Sequence, residues 1–419
     1  MENRSDSPIY TLMAKGVDVF RPETVLIGSE VNLDRISAEV TLYPGCRIFG
    51  ESTLILPGTQ LGYEAPVTIE NCQIGPSVEL KGGFFKNAVF LKGSGMGSGA
   101  HVREGTILEE EASGAHTVGL KQTILFPFVT LGSLINFCDC LMAGGTSRRD
   151  HSEVGSSYIH FNYTPNQDKA TPSLIGDVAQ GVMLNRRPVF LGGQGGLVGP
   201  CRLAYGTIIA AGSIYRKDEL KPDRLLADGG VRSARMPYTP GLYRSVKRIM
   251  INNIIYIANL MALRQWYVHV RFQFVSEDFP QILLDGLKAT LEMGIDERIK
   301  RLKSFCLKMP DSAEKYVEAA GGHASESLLA QKKELYERVS DLVSFFEDAR
   351  SREGNIRLRD PFLNTVDSQI RDSGKSYLPV IKSLDERNAE TGVQWLSALV
   401  SEIGKEALEI LPSLGTVNI

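Results

Sequence analysis

The chain lacks a strong bias of charge and lacks a long unbroken apolar run. It carries 46 Lys and Arg against 49 Asp and Glu, a formal net charge of −3, which excludes the global basic field that attracts nucleic acid or acidic membranes. Its most apolar stretch, 249–263, is interrupted by three asparagines and is too short and too polar to cross a bilayer. The polar segment 1–10 has no apolar signal core, so we expect a cytoplasmic protein without a membrane or nucleic-acid partner.

Cysteine and histidine are both scarce, with six of each in 419 residues. The only close cysteine pair, Cys138 and Cys140, is separated by one residue, whereas zinc and redox pairs typically have a two-residue spacer. The four histidines between 101 and 160 include no tight pair with metal-ligand spacing. We therefore predict no metal site, and we interpret the cysteines as small buried apolar residues rather than as a disulfide framework.

What the chain does have is an apolar residue at every sixth position of three stretches. A period of six matches neither the 3.6-residue period of a helix nor the two-residue period of a strand. It fits a short strand and a corner, three of which make one coil of a parallel β-helix. The repeat is carried by Ile36, Leu42, Ile48 and Leu54, by Cys72, Val78, Phe84, Phe90, Met96, Val102 and Leu108, and by Leu191, Leu197, Leu203, Ile209 and Tyr215.

A change of composition near residues 237–241, rich in Pro and Gly, marks a domain boundary. Beyond it the apolar spacing becomes helical from Val246 onward, with further helical segments expected at 277–294, 296–308, 324–350 and 391–411. We predict a mainly β plus α chain: an introductory segment over 1–24, the β-helix over 25–237, and an α-helical domain of unknown role over 238–419.

The six-residue repeat is interrupted between Asn136 and Ser173, and interruptions of a repeat commonly mark functional loops. Two polar loops lie there, 144–151 and 162–169. A glycine-rich run at 192–196 superficially looks like a nucleotide-binding loop. Because it stays on the six-residue repeat and no Lys-Ser or Lys-Thr follows it, a β-helix corner is the better interpretation.

Several motifs in and after these loops resemble a known family. Asn162-Tyr163 with Lys169 and the segment 174–177 are similar to a family segment Asn-Tyr-Asp-Gly…Lys…Ile-Gly-Asp, and 197–200 and 206–213 are similar to its later coils. Over about 12–218 the chain resembles the C-terminal acetyltransferase domain of the bifunctional N-acetylglucosamine-1-phosphate uridyltransferase/glucosamine-1-phosphate acetyltransferase. The resemblance implies a left-handed hexapeptide-repeat β-helix, a homotrimer, a sugar phosphate or nucleotide sugar as ligand, and acetyl-CoA as acyl donor. We find no counterpart of the family's uridyltransferase domain and expect no uridylyl transfer.

The resemblance also implies which residues bind the ligands. For the sugar phosphate it implies two cations eighteen residues apart, an asparagine for the amino sugar and a nearby lysine. For the acyl donor it implies a tyrosine, and two arginine pairs suit the phosphates of a nucleotide, a nucleotide sugar or coenzyme A, although exposed arginines are commonly plain surface. The substrate-binding residues expected are Arg103, Lys121, Asn162 and Lys169; the acyl-donor residues are Tyr163, Arg148 and Arg149; the second arginine pair is Arg186 and Arg187.

The chain departs from the family at the catalytic position, because Gly132-Ser133-Leu134 stands where the family has Gly-His-Leu. Acetylation of an amine needs a general base near neutral pH, which a serine alone cannot supply. We predict His160 as the replacement base with Ser133 as a hydrogen-bonding relay; the alternative is that His160 is structural. Two functions stay open: a sugar-phosphate or nucleotide-sugar binding protein that is an acyltransferase with an altered base, or a non-catalytic scaffold or regulator.

Overall fold

Short parallel strands wind into a three-faced coil over the first half of the chain. The computed structural model describes residues 7–228, 235 and 237–415. Within these residues an 11-stranded parallel sheet forms the first face, and a 16-stranded sheet folds around one corner to form the second and third faces. The predicted fold class, a left-handed parallel β-helix followed by an all-α region, is confirmed.

The first face takes one short strand from each coil. Its strands are Asp18–Val19, Thr41–Leu42, Gln60–Leu61, Glu79–Leu80, Gly95–Met96, Ser113–Gly114, Thr130–Leu131, Glu153–Val154, Phe190–Leu191, Ile208–Ile209 and Leu225–Leu226. The strand Asp18–Val19 lies inside the predicted introductory segment 1–24, so the first coil begins before residue 25. Residues 1–6 of that segment, and 229–234 and 236 next to the predicted boundary at 237, lie outside the described residues.

The second and third faces share two long strands, Gly119–Leu125 and Asn136–Met142, which turn the corner between them. The other strands of the second face are Leu26–Ile27, Arg47–Phe49, Val67–Glu70, Gly83–Lys86, Ala100–Val102, Ile159–Phe161, Gly196–Val198 and Ile214–Tyr215. Those of the third face are Leu54–Ile55, Gln73–Ile74, Ala88–Phe90, Thr106–Leu108, Ser173–Ile175 and Arg202–Leu203. A small antiparallel hairpin, Gly145–Ser147 with Asp150–His151, projects from the coil.

The interior of the β-helix follows the six-residue repeat with two local exceptions. On the second face Phe85, not the predicted Phe84, points inward and is fully buried between Ile69 and Val102. Phe85 follows the inward Leu80 by five positions, one fewer than separate Met96 and Val102 in the next coil. Gly83, between Leu80 and Phe85, has a φ of +132°, a left-handed conformation that glycine adopts without strain. On the third face Ile55 lies in the interior in place of Leu54.

Ten α-helices occur among the described residues. Two belong to the first half: α1 (Pro8–Lys15), which precedes the first strand, and α2 (Val178–Gly181), which lies between coils. The others are α3 (Lys247–Gln265), α4 (Gln281–Cys306), α5 (Met309–Ala320), α6 (Glu326–Glu337), α7 (Val339–Ala349), α8 (Ile356–Ser373), α9 (Tyr377–Lys382) and α10 (Glu386–Glu409). Helix α3 continues directly into a π-helical turn, Trp266–Val270, and a 3₁₀ turn, Arg271–Phe274. No helix in the described part of the chain is both long enough and apolar enough to cross a membrane.

The helical region packs against the third face, and the two parts share one core. Outward-facing Leu54, Val89, Ile107, Ile124 and Leu141 of that face join the same buried apolar cluster as the helices. Helix α3 is buried almost all round, whereas α4 contacts the strands Gln73–Ile74, Ala88–Phe90 and Thr106–Leu108. Since α4 runs beside the corner between the second and third faces, it reaches the side chains described next.

Candidate functional site

Two of the predicted substrate-binding cations lie next to each other at the edge of the second face. Strand pairing sets His101 beside Gly119, and the Arg103 amide donates to the Leu120 carbonyl. Arg103 and Lys121 therefore leave successive coils on the outside, with the coil spacing of about 4.8 Å between their backbones. Lys121 Nζ is 2.5 Å from the Glu104 carboxylate, so an incoming phosphate would compete with Glu104 for this lysine.

The third predicted cation, Lys169, converges on the same point. Lys121 pairs with Cys138 in the next coil. Burial raises the pKa of the Cys138 thiol and Asp139 adds to that effect, whereas the charges of Arg103, Lys169 and Lys121 oppose it. The three cations are therefore near enough to Cys138, at the corner between the second and third faces, to act on its thiol. We call Arg103, Lys121 and Lys169 the cation edge of the candidate site.

Asn162, the residue predicted to hold the amino sugar, is fixed beside this edge. Its Nδ2 donates to Asp139 Oδ2 at 2.6 Å. The other oxygen of Asp139, Oδ1, is 2.6 Å from Nη2 of Arg298 in α4, and both of these side chains are almost fully buried. Arg298 also donates to the backbone carbonyl of Lys169 at 3.3 Å. The helical region therefore reaches the candidate site through one arginine. Sequence reasoning missed Asp139, whose one signal was its position in Cys-Asp-Cys at the start of the interrupted repeat.

The predicted role of His160 as general base is wrong on geometric grounds. His160 pairs with Leu197 on the inward side of the second face and is 2% exposed. Its Nδ1 is 2.5 Å from the Cys138 carbonyl and its Nε2 is 2.7 Å from Ser173 Oγ. Burial lowers the pKa of this imidazole to about 4. A substrate on the outside of the coil cannot reach it, and its hydrogen bonds do not involve Ser133.

Ser133 has a different histidine partner. Its Oγ lies 2.8 Å from Nδ1 of His116, seventeen residues earlier and therefore one coil away at the corner between the first and second faces. His116 is exposed and Ser133 is half-buried. Hydrogen bonding by Ser98 lowers the pKa of the Glu64 carboxyl, and His116 adds a smaller effect in the same direction, which means that Glu64 lies near this imidazole. We call Ser133 and His116 the Ser–His pair.

The Ser–His pair and the cation edge lie on opposite borders of the second face. Lys121 lies in the strand Gly119–Leu125, whereas His116 lies in the corner three residues before that strand begins. The chain between these two positions therefore spans at most roughly 17 Å. Between them the face presents Gly119 and Asn136, which pair with each other. A ligand that contacts both borders of one copy of the chain would have to extend across this face.

The predicted acyl-donor residues are not brought together. Tyr163 is 57% exposed on the loop that leaves the cation edge. Arg148 lies on the hairpin at the corner between the third and first faces, where its guanidinium donates to the carbonyls of Glu111 and Phe128 and to Thr130 Oγ1. Because these bonds engage Arg148 with its own coil, it stabilises the hairpin instead of binding a donor beside Tyr163. Arg149 is exposed next to it.

Metal-binding side chains do not converge in the described part of the chain: no group of three or more His, Cys, Asp or Glu residues there is arranged to hold an ion. The second predicted arginine pair, Arg186 and Arg187, lies away from both borders of the second face, in a cavity against the helical region.

Comparison with known proteins gives a relationship over about half of the chain. No family model matches it. The curated "Bifunctional protein GlmU" of Nitratidesulfovibrio vulgaris is 27% identical over 231 residues, which are 54% of this chain and 44% of that protein. Those of Thermotoga maritima and Geotalea uraniireducens are each 27% identical, over 212 and 215 residues that make up 42% of either relative. The similarity and the β-helix together support a GlmU-like β-helical domain over about half of the chain.

The GlmU similarity is distant and partial. The chain spans less than half the length of the curated relatives it matches. The predicted resemblance is confirmed at this level, as a GlmU-like domain on a β-helix. At the position that the resemblance assigns to the catalytic histidine, this chain has Ser133 bonded to His116.

Proposed function

We propose that the protein is an acyltransferase that moves an acyl group from an acyl-CoA such as acetyl-CoA to the amine of an amino-sugar phosphate, with the Ser–His pair as its base. The observation that carries this proposal is the 2.8 Å contact between Ser133 Oγ and His116 Nδ1. A serine hydroxyl becomes a competent proton acceptor when an adjacent imidazole takes its own proton. The exposed imidazole therefore supplies the basicity that Ser133 by itself lacks.

The proposed reaction uses the pair as a proton relay. Ser133 Oγ receives a proton from the substrate ammonium as it passes its hydroxyl proton to His116 Nδ1. The free amine attacks the thioester carbonyl, and the nitrogen of the tetrahedral intermediate releases its second proton to water. The intermediate then collapses by breaking the carbon–sulfur bond. The coenzyme A thiolate leaves and takes the proton back from His116, which completes the balance. Glu64, whose carboxyl lies near His116, stabilises the imidazolium that exists between these steps.

The cation edge is the proposed binding site for the phosphate. Arg103, Lys121 and Lys169 offer charge-assisted hydrogen bonds to a phosphate dianion, and Asn162 offers an amide to the sugar. Tyr163 offers an exposed ring to the adenine or pantetheine of the donor. These roles rest on the resemblance together with the convergence of the three cations near Cys138.

A second copy of the chain is part of the proposal, because the Ser–His pair and the cation edge lie on opposite borders of the second face. In a homotrimer the cation edge of one copy lies opposite the Ser–His pair of its neighbour, and the site is complete only between them. Sedimentation equilibrium of the purified protein measures this directly. A monomer at micromolar concentration would contradict the shared site.

The reaction is tested by coenzyme A release from acetyl-CoA with glucosamine 1-phosphate and related amino sugars. Ser133→Ala and His116→Gln should each lower kcat about 100-fold or more, the usual contribution of a general base. His323→Gln changes an exposed histidine of the helical region and should have no effect. Ser133→His introduced into His116→Gln should restore turnover, because the new imidazole contacts the amine directly.

The alternative function has its own outcome in the same experiment. If no amino sugar supports turnover but glucosamine 1-phosphate binds saturably, the protein is a non-catalytic ligand-binding scaffold or regulator. If turnover is present and His116→Gln leaves it unchanged, acyl transfer stands and the relay is wrong.

A further inference from the structure

A cavity of about 660 Å³ lies where the last coils of the β-helix meet the helical region. One wall is the third face with Leu174 and Arg202, and the opposite wall is α3 and α10 with Ile255 and Val400. The volume falls within the range of sites for small organic ligands. The cavity opens on the third face and is therefore separate from the Ser–His pair, which lies at the corner between the first and second faces.

The charge of this cavity is dominated by arginine. Arg186, Arg187 and Arg202 line it together with two carboxylates, Asp177 and Asp223. Asp223 is neutralised by Arg187, whose Nη1 lies 2.7 Å from it. Asp177 caps α2 by accepting from the Gln180 amide at 2.9 Å, and burial raises the pKa of its carboxyl. The two remaining cations, Arg186 and Arg202, have carboxylate partners at longer distances.

The guanidinium groups of Arg186 and Arg202 line the cavity, and each lies near a carboxylate without a hydrogen bond to it. Arg186 is 3.9 Å from Glu390, and Arg202 is 3.6 Å from Asp218, both longer than a hydrogen bond. Within the described ranges, neither side chain donates a hydrogen bond to a protein group. Arg202 is only 18% exposed, and burial lowers the pKa of its guanidinium. A partly desolvated cation whose carboxylate partner lies beyond hydrogen-bond distance still gains from an anion that enters the cavity.

The other lining residues indicate which kind of chemical group would fit the cavity beside the anion. Leu220, Pro222 and Val400 give an apolar floor, and Ser397 and Ser401 of α10 add hydroxyl groups. An inorganic ion alone would leave this apolar surface in contact with water. An oxyanion attached to a small apolar or aromatic body satisfies both the arginines and the floor.

We propose that this cavity is a binding site for a small organic oxyanion, a phosphate or a carboxylate on an apolar body, held by Arg186 and Arg202. Such a ligand touches the β-helix on one side and α3 and α10 on the other, so it stabilises the docking of the two parts. The site does not depend on acyl transfer at the Ser–His pair.

The test uses the full chain in the absence of acetyl-CoA and three probes of similar body: phenyl phosphate, benzoate and uncharged benzyl alcohol. Calorimetric titration should give saturable binding of at least one anion, and that anion should raise the thermal midpoint, whereas benzyl alcohol should bind more weakly than either. Stronger binding of phenyl phosphate assigns the site to phosphates, and stronger binding of benzoate assigns it to carboxylates. Absence of saturable binding of both anions overturns the proposal.

Matched variants locate the binding. Arg186→Gln and Arg202→Gln should each weaken binding of the preferred anion about tenfold, the effect of losing a hydrogen bond to a charged group. Arg224→Gln removes the same charge from an exposed position outside the lining and should leave the affinity unchanged. If Arg202→Gln fails to fold, Ser401→Phe, which fills the cavity and removes no charge, must abolish binding. Equal affinity in Arg186→Gln and the wild type overturns the assignment.

Discussion

Arg298 of α4 and Asp139 of the β-helix corner form an ion pair in which both side chains are almost fully buried, with 2.6 Å between Nη2 and Oδ1. This pair joins the two halves of the chain beside Asn162, which binds the other oxygen of Asp139. Removal of one partner leaves an uncompensated charge in a region without water, the most costly way to break a buried pair.

Arg298→Met should therefore lower the free energy of unfolding by about 3–5 kcal/mol. Arg301→Met, on the same helix but in a partly exposed pair with Glu297, should cost less than about 1 kcal/mol. Chemical denaturation of the two variants under one condition measures the difference. Equal losses in both would mean that the buried pair contributes no more than a surface pair.

The buried His160 should make stability depend on pH in the acid range. Since burial lowers the pKa of this imidazole to about 4 from a usual 6.5, the folded state binds fewer protons than the unfolded state between these values. Its contribution is present above pH 6.5 and is lost as the pH falls toward 4, by about 3 kcal/mol for a shift of this size. The free energy of unfolding, measured from pH 7 to pH 4, should fall less steeply in His160→Gln. His323→Gln, at an exposed position, should retain the wild-type slope.

Lys332 should make the stability of the protein increase with pH in the alkaline range, the same direction of change that His160 causes at acid pH. Its side chain is fully buried and donates to the backbone carbonyl and the hydroxyl of Ser312 at 2.8 and 2.9 Å. Burial lowers the pKa of the ammonium to about 8 from 10.5, so the folded state binds fewer protons between these values and stability should increase as the pH rises from 8 to 10.5. Lys332→Met should abolish this increase, and Lys333→Met, on the exposed side of α6, should preserve it. A flat profile in the wild type would refute the effect.

Phe84 and Phe85 test the register of the repeat. Phe85→Ala opens a cavity in the interior of the coil and should cost about 3–5 kcal/mol. Phe84 lies outside and stacks on His101 with 5.2 Å between ring centroids, so Phe84→Ala should cost about 1 kcal/mol. Denaturant midpoints of the two variants decide the matter, and the reverse order would support the unshifted six-residue repeat.

The six-residue repeat predicts the β-helix well because the interior of each coil must be apolar whatever the rest of the chain does. It fails by one residue at Leu54 because the outer side of the third face is apolar too, being covered by helices. The packing between the helices and the third face also buries α3 on nearly every side, so its apolar residues do not form one clear stripe with a helical period. The segments 277–294 and 296–308 form one helix, α4, since Gly294 lies inside it against Gln122.

In the candidate site too, some residues follow from the sequence, whereas other contacts are revealed only by the structure. A resemblance carries over single positions and so assigns Arg103, Lys121, Asn162 and Lys169, whose binding roles stay predictions. The Ser–His pair could not be predicted, since it depends on the local coil length, which brings His116 beside Ser133 seventeen positions later. The burial of His160 likewise follows from its register against Leu197, which no local motif reveals.

A solenoid ordinarily grows or shrinks by whole coils, because each repeat contacts only its neighbours. In this chain the number of coils is constrained where α4 packs along the third face. The helix has 26 residues, a length of about 39 Å, and it is joined both to Gln73–Ile74 and, through Arg298, to Asp139. A coil added or removed between these two points would displace one from the other by about 4.8 Å. In the evolution of this chain, the number of coils between Gln73 and Asp139 and the length of α4 can therefore change only together.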